Sequence, residues 1–473
     1  MDKRDNLSIV ILAAGKGTRM KSAYPKVMHH ILGKPMLYYI LKSAFSLGPK
    51  NIYAVTGYGK EQVREYLKKS FPEVVVVQQD RQLGTAHAVM AASAHRKQMG
   101  SQVMVLSGDC PLILSSTLSS LWKRQVDTSS AATILSAVTA DPTGYGRIIK
   151  GGGQEVIKVV EEADATGGQR AVKEISTSIY CFARDQLFDG LEDIRASNKQ
   201  NEYYLTDMVE ILVKKGMKVN TFQAEDFVQV MGVNDRIQLS ETEKVMRSRI
   251  NRDLMASGVT IGDPENTFIE DTVKISPDTV IAPYCFIGGN TRIGRECRIG
   301  PFCQISDSAI GEGTRINSSV VLGSELGREN NIGPYSYIRP DTRTGSRVKV
   351  GGFCEVKKSD ISDGSKVPHL SYVGDTHIGE NVNIGASTVT VNYDGYGKHK
   401  TIIEDGAFIG SDTMLIAPVR VGKGAIVAAG SVITEDVPPD SLAIARGAQK
   451  NIGQGAVRYR KKKQKQKNIG EAK

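Results

Sequence analysis

Residues 287–305 read IGGNTRIGRECRIGPFCQI, with isoleucine at 287, 293, 299 and 305. The same spacing begins upstream at Ile269, Ile275 and Ile281 and returns as Ile409, Leu415, Val421, Val427 and Ile433. A helix would scatter residues six apart around its surface, and a strand repeats every two. Period six suits a triangular coil in which each short side contributes one inward aliphatic and each corner a small residue. Gly288, Gly294 and Gly300 each follow one of these isoleucines. The spacing predicts a parallel β-helix of hexapeptide repeats.

Upstream of residue 230 the grammar changes. Apolar runs Ile9–Ala14, Ile52–Thr56, Val74–Gln78, Val103–Leu106 and Thr133–Val138 read as strands. Pro35–Leu47, Gly59–Lys69 and Ala86–Arg96 between them have helical spacing. That alternation predicts an α/β domain, Rossmann-like, with a mostly parallel sheet. In such sheets ligands bind outside the carboxyl ends of the strands. Asp235–Ala256 carries Ile237, Val245, Ile250 and Leu254 among many charges and reads as an exposed linking helix that ends near Gly258. The expected division is 1–234 for the α/β domain, 235–258 for the helix, 259–447 for the coil and 448–473 for a basic tail.

A chain of 473 residues exceeds one compact core, which agrees with two domains. Of the net charge of +10, most sits in RYRKKKQKQK, Arg458–Lys467, with seven cations and no acid. This reads as a solvated, disordered end; it lacks the interleaved aromatics of a nucleic-acid surface, so no nucleic-acid partner is expected. The six cysteines form no CxxC pair and have no histidine at zinc-ligand spacing, which suggests reduced, buried thiols. The charged start MDKRDN leads into an apolar run too short for a secretory segment, and no run approaches a membrane span. A cytoplasmic protein without stable membrane insertion is expected.

The first strand runs into Gly15-Lys16-Gly17-Thr18-Arg19. This is neither GxxxxGK[ST] nor GxGxxG. It still offers what a phosphate needs, because glycines let backbone N–H groups approach closely while Lys16 and Arg19 add positive charge. Lys26 follows Pro25. Further on stand Gln79 with QLGT (Gln82–Thr85), SGDCP (Ser107–Pro111), GYGRI (Gly144–Ile148) and GVND ending at Asp235. Asp109, just past an apolar strand, suits Mg²⁺, which takes one or two carboxylates plus phosphate oxygens.

Together LAAGKGTRM, the following PK and these segments resemble the sugar-1-phosphate nucleotidyltransferases. The resemblance implies that Leu12, Ala13, Gly15, Gln79, Gly84 and Thr85 line a nucleotide site, with UTP as co-substrate. It implies that Arg19 and Lys26 neutralise the phosphates and that Asp109 and Asn234 bind one or two Mg²⁺ ions. Gly146, Glu161 and Ser176 fall at sugar positions. Transfer of this kind depends mainly on positioning and charge neutralisation.

In the second half KVPHLSYVGD (Lys366–Asp375) and NVNIGASTVTVNYDG (Asn381–Gly395) leave the six-residue register, which suggests a functional insertion. Gly262–Arg446 is similar to the C-terminal domain of the bifunctional N-acetylglucosamine-1-phosphate uridylyltransferase/glucosamine-1-phosphate acetyltransferase family, and the two resemblances cover nearly the whole chain. They imply a left-handed β-helix, acetyl-CoA as co-substrate and a homotrimer. His369 would be the general base, suited by a pKa near working pH. Glu355 would orient it. Arg339, Lys357, Tyr372 and Asn383 fall at sugar-phosphate positions, and Lys398 is a weaker candidate. Ala386, Asn392, Tyr393, Ser411, Ala429 and Arg446 fall at acetyl-CoA or transition-state positions.

Two departures stand out. The family's E-x-N-T-G sugar contact reads Glu174-Ile175-Ser176-Thr177-Ser178 here, and Gly352 replaces an Asn of many relatives. An acetyltransferase whose first domain is impaired, or uses another sugar 1-phosphate, therefore remains as an alternative. A purely regulatory β-helix, as in glucose-1-phosphate adenylyltransferases, is disfavoured by the intact His369, Asn392, Tyr393 and Arg446 set.

Overall fold

A computed structural model describes residues 6–470. The chain divides into two compact units, Met1–Leu254 with Pro264–Asp271, and Met255–Asp263 with Thr272–Lys473. The opening MDKRD and residues 471–473 of the basic tail lie outside the described residues.

In the first unit seven strands follow the order Val219–Gln223, Ala132–Val138, Glu174–Ala183, Gln102–Ser107, Leu7–Ala13, Asn51–Thr56 and Val75–Gln78. The pairs Ile9↔Ile52 and Ile9↔Met104 are parallel. Glu174–Ala183 runs antiparallel to both its neighbours. Alternate residues of each central strand enter cores on opposite faces: Val10, Tyr53 and Val105 on one, Ile9, Ala54 and Met104 on the other. Burial on both faces explains the continuous apolar runs. The loops from Ala14, Gly57, Gln79 and Gly108 all leave the carboxyl ends of parallel strands, so the topology gathers them along one edge.

Two helical expectations change. Ala86–Arg96 is split into Thr85–Met90 and a 3₁₀ turn, Ser93–Gln98. The helix Arg236–Ala256 is less exposed than its charges suggest, because Met246 packs with Ile31, Leu32, Met36 and Tyr39. Up to Leu254 it belongs to the first unit.

The second unit stacks two- to four-residue strands into three parallel sheets, each pairing every third strand. One aliphatic per side enters the axis, as in Ile299, Ile305, Ile310, Ile316, Val321 and Leu326. The step between these is six or five residues, so the coil continues through the region where the six-residue spacing lapses. Corner hydroxyls cap backbone carbonyls: Thr279 Oγ1 donates to Gly294 O at 2.7 Å, and Ser365 Oγ to Gly379 O at 2.6 Å.

Lys366–Asp375 is not an insertion. Lys366–His369 and Tyr372–Gly374 are coil strands, paired in register with Lys349–Gly352 and Glu355–Lys357. The excursion is 392–400, between the strands Val389–Val391 and Thr401–Ile403. The tail likewise departs from expectation, since Gly455–Gly470 is helical. Its Lys, Arg and Gln residues are good helix formers.

Candidate active sites

In the first unit the glycine loop bends at Gly17, where φ is +64° and a Cβ would lie 2.7 Å from Lys26 Cβ. Glycine is required there because the loop rests on the Lys26 stem. Lys26 Nζ donates to Asp109 Oδ2 at 2.5 Å and to Asn234 Oδ1 at 2.6 Å. Ser107 Oγ donates to the other Asp109 oxygen at 2.6 Å, and the Asn234 N–H donates to Gln238 Oε1 at 2.7 Å. Burial works to raise the Asp109 pKa, but the Lys26 charge and the hydrogen bonds outweigh it and hold it below the usual carboxylate value. Burial pushes the neighbouring Cys110 thiol well up.

This arrangement tests whether the residues fit a divalent cation. One carboxylate and one amide oxygen converge on a single cationic centre, at present the Lys26 ammonium. They are hard oxygen donors, the set Mg²⁺ takes when phosphates and water complete its shell. Among the described residues no group of three or more His, Cys, Asp or Glu could enclose a metal, so a protein cage is not on offer.

Around this centre Arg19 lies exposed in the 3₁₀ turn Thr18–Met20, and Lys16 stands 5.6 Å over the Tyr58 ring. Gly15 has open space beside it. Leu12 and Ala13 end the first strand, with the Gly108 N–H bound to Leu12 O at 2.9 Å. Gln79 is buried and donates to Gly84 O at 3.2 Å. At Gly84, φ is +114° and a Cβ would sit 2.5 Å from Tyr203 O. Thr85 Oγ1 accepts from the Leu205 N–H at 2.9 Å. A cleft of about 510 Å³ opens against Gly57–Gln62, Gln78–Asp80 and Gln82.

The three sugar positions also converge. Gly146 pairs with Ser176, and a Cβ on Gly146 would lie 3.6 Å from Glu161 Oε2. Thr206 Oγ1 donates to Glu161 Oε1 at 3.0 Å, and burial raises the Glu161 pKa. Ser176 Oγ lies 2.9 Å from Tyr180 OH across a bulge. Within that bulge Ser178 has φ +60°, which gives a physical reason for the family's glycine there. Tyr180 and Thr206 were not legible as site residues, because each sits in an ordinary apolar or helix-entry context.

In the second unit Arg339, Glu355 and Tyr372 occupy successive coils, with Tyr337↔Glu355 and Glu355↔Tyr372 in register. Arg339 Nη1 donates to Glu355 Oε1 at 2.7 Å. Among the described residues no hydrogen bond is seen between Glu355 and His369, and one Glu355 oxygen is held by Arg339. Lys357 has its pKa lowered by the adjacent Lys398, with Arg339 adding to the effect. Arg339, Lys357 and Lys398 are thus near neighbours, with Glu355 paired to Arg339 and Asp375 partly offsetting the charge at Lys357. Asn392 Nδ2 donates to Asp375 Oδ2 at 2.6 Å and lies 3.5 Å from Tyr372 OH. Asp375 was missed although it closes the quoted KVPHLSYVGD.

His369 ends a coil strand, exposed, opposite Gly352. Asn383 pairs with Lys366 on the same sheet. The excursion is pinned by His399 Nε2 and Asp394 Oδ2 at 2.7 Å and by the Tyr393–Lys398 bridge. Ala386, Ser411 and Ala429 mark one corner of three stacked coils. There the Asp412 N–H donates to Ala386 O at 2.7 Å and the Gly430 N–H to Ser411 O at 2.8 Å. Arg446 Nη1 donates to Ala429 O at 2.8 Å, an exposed cation closing the column.

Comparison with known proteins agrees with this division. Residues 8–235 match the Nucleotidyl transferase family, 264–339 the GMPPB C-terminal domain, and 400–435 the bacterial transferase hexapeptide repeats. The chain is 50% identical to the bifunctional protein GlmU of Pelotomaculum thermopropionicum, over 97% of this chain and 100% of the relative. It is 48% identical to that of Geobacillus sp. (strain WCH70), over 93% and 96%. For Carboxydothermus hydrogenoformans the identity is 47%, over 93% and 98%. A nucleotidyl transferase unit, a hexapeptide coil and identity along nearly the whole length place this chain in the family of bifunctional GlmU proteins.

Proposed function

We infer that the two units perform successive steps in the synthesis of UDP-N-acetylglucosamine, a precursor of peptidoglycan. Family membership brings a uridylyltransferase to the first unit and an acetyltransferase to the second. The observation that carries the residue-level reading is the convergence of Lys26, Asp109 and Asn234 beside the glycine loop.

In the second unit His369 takes a proton from the amine of glucosamine 1-phosphate as it attacks the thioester carbonyl of acetyl-CoA; the C–S bond breaks and CoA leaves, taking up the proton as a thiol. Arg339, Lys357 and Lys398 hold the phosphate, Tyr372 and Asn383 the sugar. The column Ala386, Ser411, Ala429 and Arg446 carries the cofactor, with Asn392 and Tyr393 near the acetyl group. In the first unit the product attacks the α-phosphate of UTP and pyrophosphate leaves. Glu161, Ser176 and Gly146 hold the sugar, and Leu12, Ala13, Gly15, Gln79, Gly84 and Thr85 the nucleotide. Asp109 and Asn234 would hold Mg²⁺, which neutralises phosphate charge. Lys26, released from these oxygens, then reaches the phosphates with Arg19.

The protein acts as a homotrimer. Tyr284 and Phe302 stack at 5.1 Å and Tyr335 and Phe353 at 5.2 Å, all on one exposed corner of the coil, where a second copy would cover them. Its place is the cytoplasm: all six cysteines are free and buried, and no described helix is long and apolar enough to cross a membrane.

Two assays test the reading. One follows CoA release with glucosamine 1-phosphate, the other pyrophosphate release from UTP with N-acetylglucosamine 1-phosphate and Mg²⁺. Activity in both is expected. Acetylation without pyrophosphate release on any sugar phosphate would mean an impaired first unit.

A further inference from the structure

Beside the carboxylate proposed to bind the sugar, Ser176 is paired with a tyrosine hydroxyl that has no part yet in the chemistry. Ser176 Oγ and Tyr180 OH are 2.9 Å apart, and the two residues are 3% and 1% exposed. The Tyr180 ring is stacked on Phe182, centroids 5.5 Å apart, which fixes the heading of its hydroxyl. Ser176 pairs with Gly146, and a Cβ on Gly146 would lie 3.6 Å from Glu161 Oε2. The other Glu161 oxygen already accepts from Thr206.

Either hydroxyl of such a pair can donate to the other. The phenol is the stronger acid of the two, and burial keeps it protonated. Tyr180 is therefore the donor and Ser176 Oγ the acceptor. This leaves the Ser176 proton free, and beside its strand partner Gly146 lies Glu161 Oε2, for which no hydrogen bond is seen among the described residues. A donor and an acceptor side by side match a hydroxyl, which accepts from one and donates to the other.

We propose that Tyr180 is a positioning residue for sugar selection: its hydrogen bond turns the Ser176 proton toward the substrate, so that Ser176 and Glu161 grip one sugar hydroxyl together. The inference rests on the uridylyltransferase reading of this site. A sugar lacking that hydroxyl leaves both protein groups buried and unpaired, which is the strongest form of rejection a polar site offers.

The test is calorimetric binding of UDP-N-acetylglucosamine, its monodeoxy analogues and UDP to wild type, Tyr180→Phe and Ser176→Ala. Phe keeps the stacked ring, so the fold is expected to survive. Tyr180→Phe should weaken UDP-N-acetylglucosamine roughly 3–10-fold, the worth of one hydrogen bond, and leave UDP unchanged. One deoxy analogue should bind wild type more weakly than the parent, and both variants should narrow that gap. Unchanged sugar affinity in Tyr180→Phe, equal weakening of UDP, or a gap that neither variant narrows would overturn the proposal while leaving the uridylyltransferase reading intact. Wild type that binds UDP and the UDP-sugar equally would overturn the sugar reading and this inference together.

Discussion

Lys26 shows what a single residue does here: its ammonium ties together Asp109 and Asn234, the two oxygen donors proposed for a divalent cation. Asp109→Ala removes one of the two oxygens and is expected to lower pyrophosphate release by about 10²–10³-fold while leaving CoA release near normal. His369→Ala should do the reverse, lowering CoA release by about 10²–10⁴-fold. Measuring both activities on each variant checks the separation; loss of both from either change would end the two-site model. Ser178→Gly should raise thermal stability by roughly 0.5–1 kcal/mol, because Ser178 sits at φ +60° and glycine tolerates that conformation freely. A denaturation midpoint no higher than wild type would contradict this. At this scale the sequence was informative where a motif travels as a unit, as in LAAGKGTRM with Lys26. It was silent about Tyr180, which meets Ser176 only because a bulge intervenes, and about Thr206, whose partner Glu161 is distant in sequence. It gave no sign of the Arg339–Glu355 ion pair, which joins residues on successive coils.

Among the elements, the helix Asp207–Lys214 carries a testable charge. A carboxylate at a helix start is ordinarily favoured, yet burial, with Glu210 and Asp164 adding, raises Asp207 to about 6. A raised carboxyl contributes stability below its unfolded pKa, near 4, and loses that contribution as pH climbs through 6. Asp207→Asn should therefore stabilise the protein at pH 8 and change little at pH 4, checked by melting temperatures across that range. A gain of equal size at both ends would show that ionisation is not the cause. The coil strands were legible from spacing wherever it was six. Steps of five, such as Ile305 to Ile310, hid continuous coil, because a corner can drop one residue while the inward aliphatic stays in place. The helix Arg236–Ala256 was legible as a helix, but its burial depends on Ile31 and Tyr39, which no local pattern reveals.

For the whole molecule, the stacked pairs Tyr284–Phe302 and Tyr335–Phe353 bear on assembly. Phe302 and Phe353 are each more than 60% exposed and adopt positive φ, a costly state for an isolated coil. Phe302→Arg with Phe353→Arg is expected to convert a trimer to monomers in sedimentation and to abolish acetyl transfer, with uridylyl transfer retained. A trimer that persists would place the interface elsewhere. The two-part architecture could be read from a change of period alone; the exposed aromatic corner could not, because its rings are drawn together only by the stacking of successive coils. The elastic step of the coil has a wider consequence. Its length is counted in sides rather than residues, so a gain or loss at a corner is a local edit that later turns do not register. The nine residues 392–400, which carry Asn392, Tyr393 and Lys398, are one such edit written into an otherwise regular stack. A lineage can lengthen a corner, acquire chemistry there and leave the column of aliphatics beneath it undisturbed.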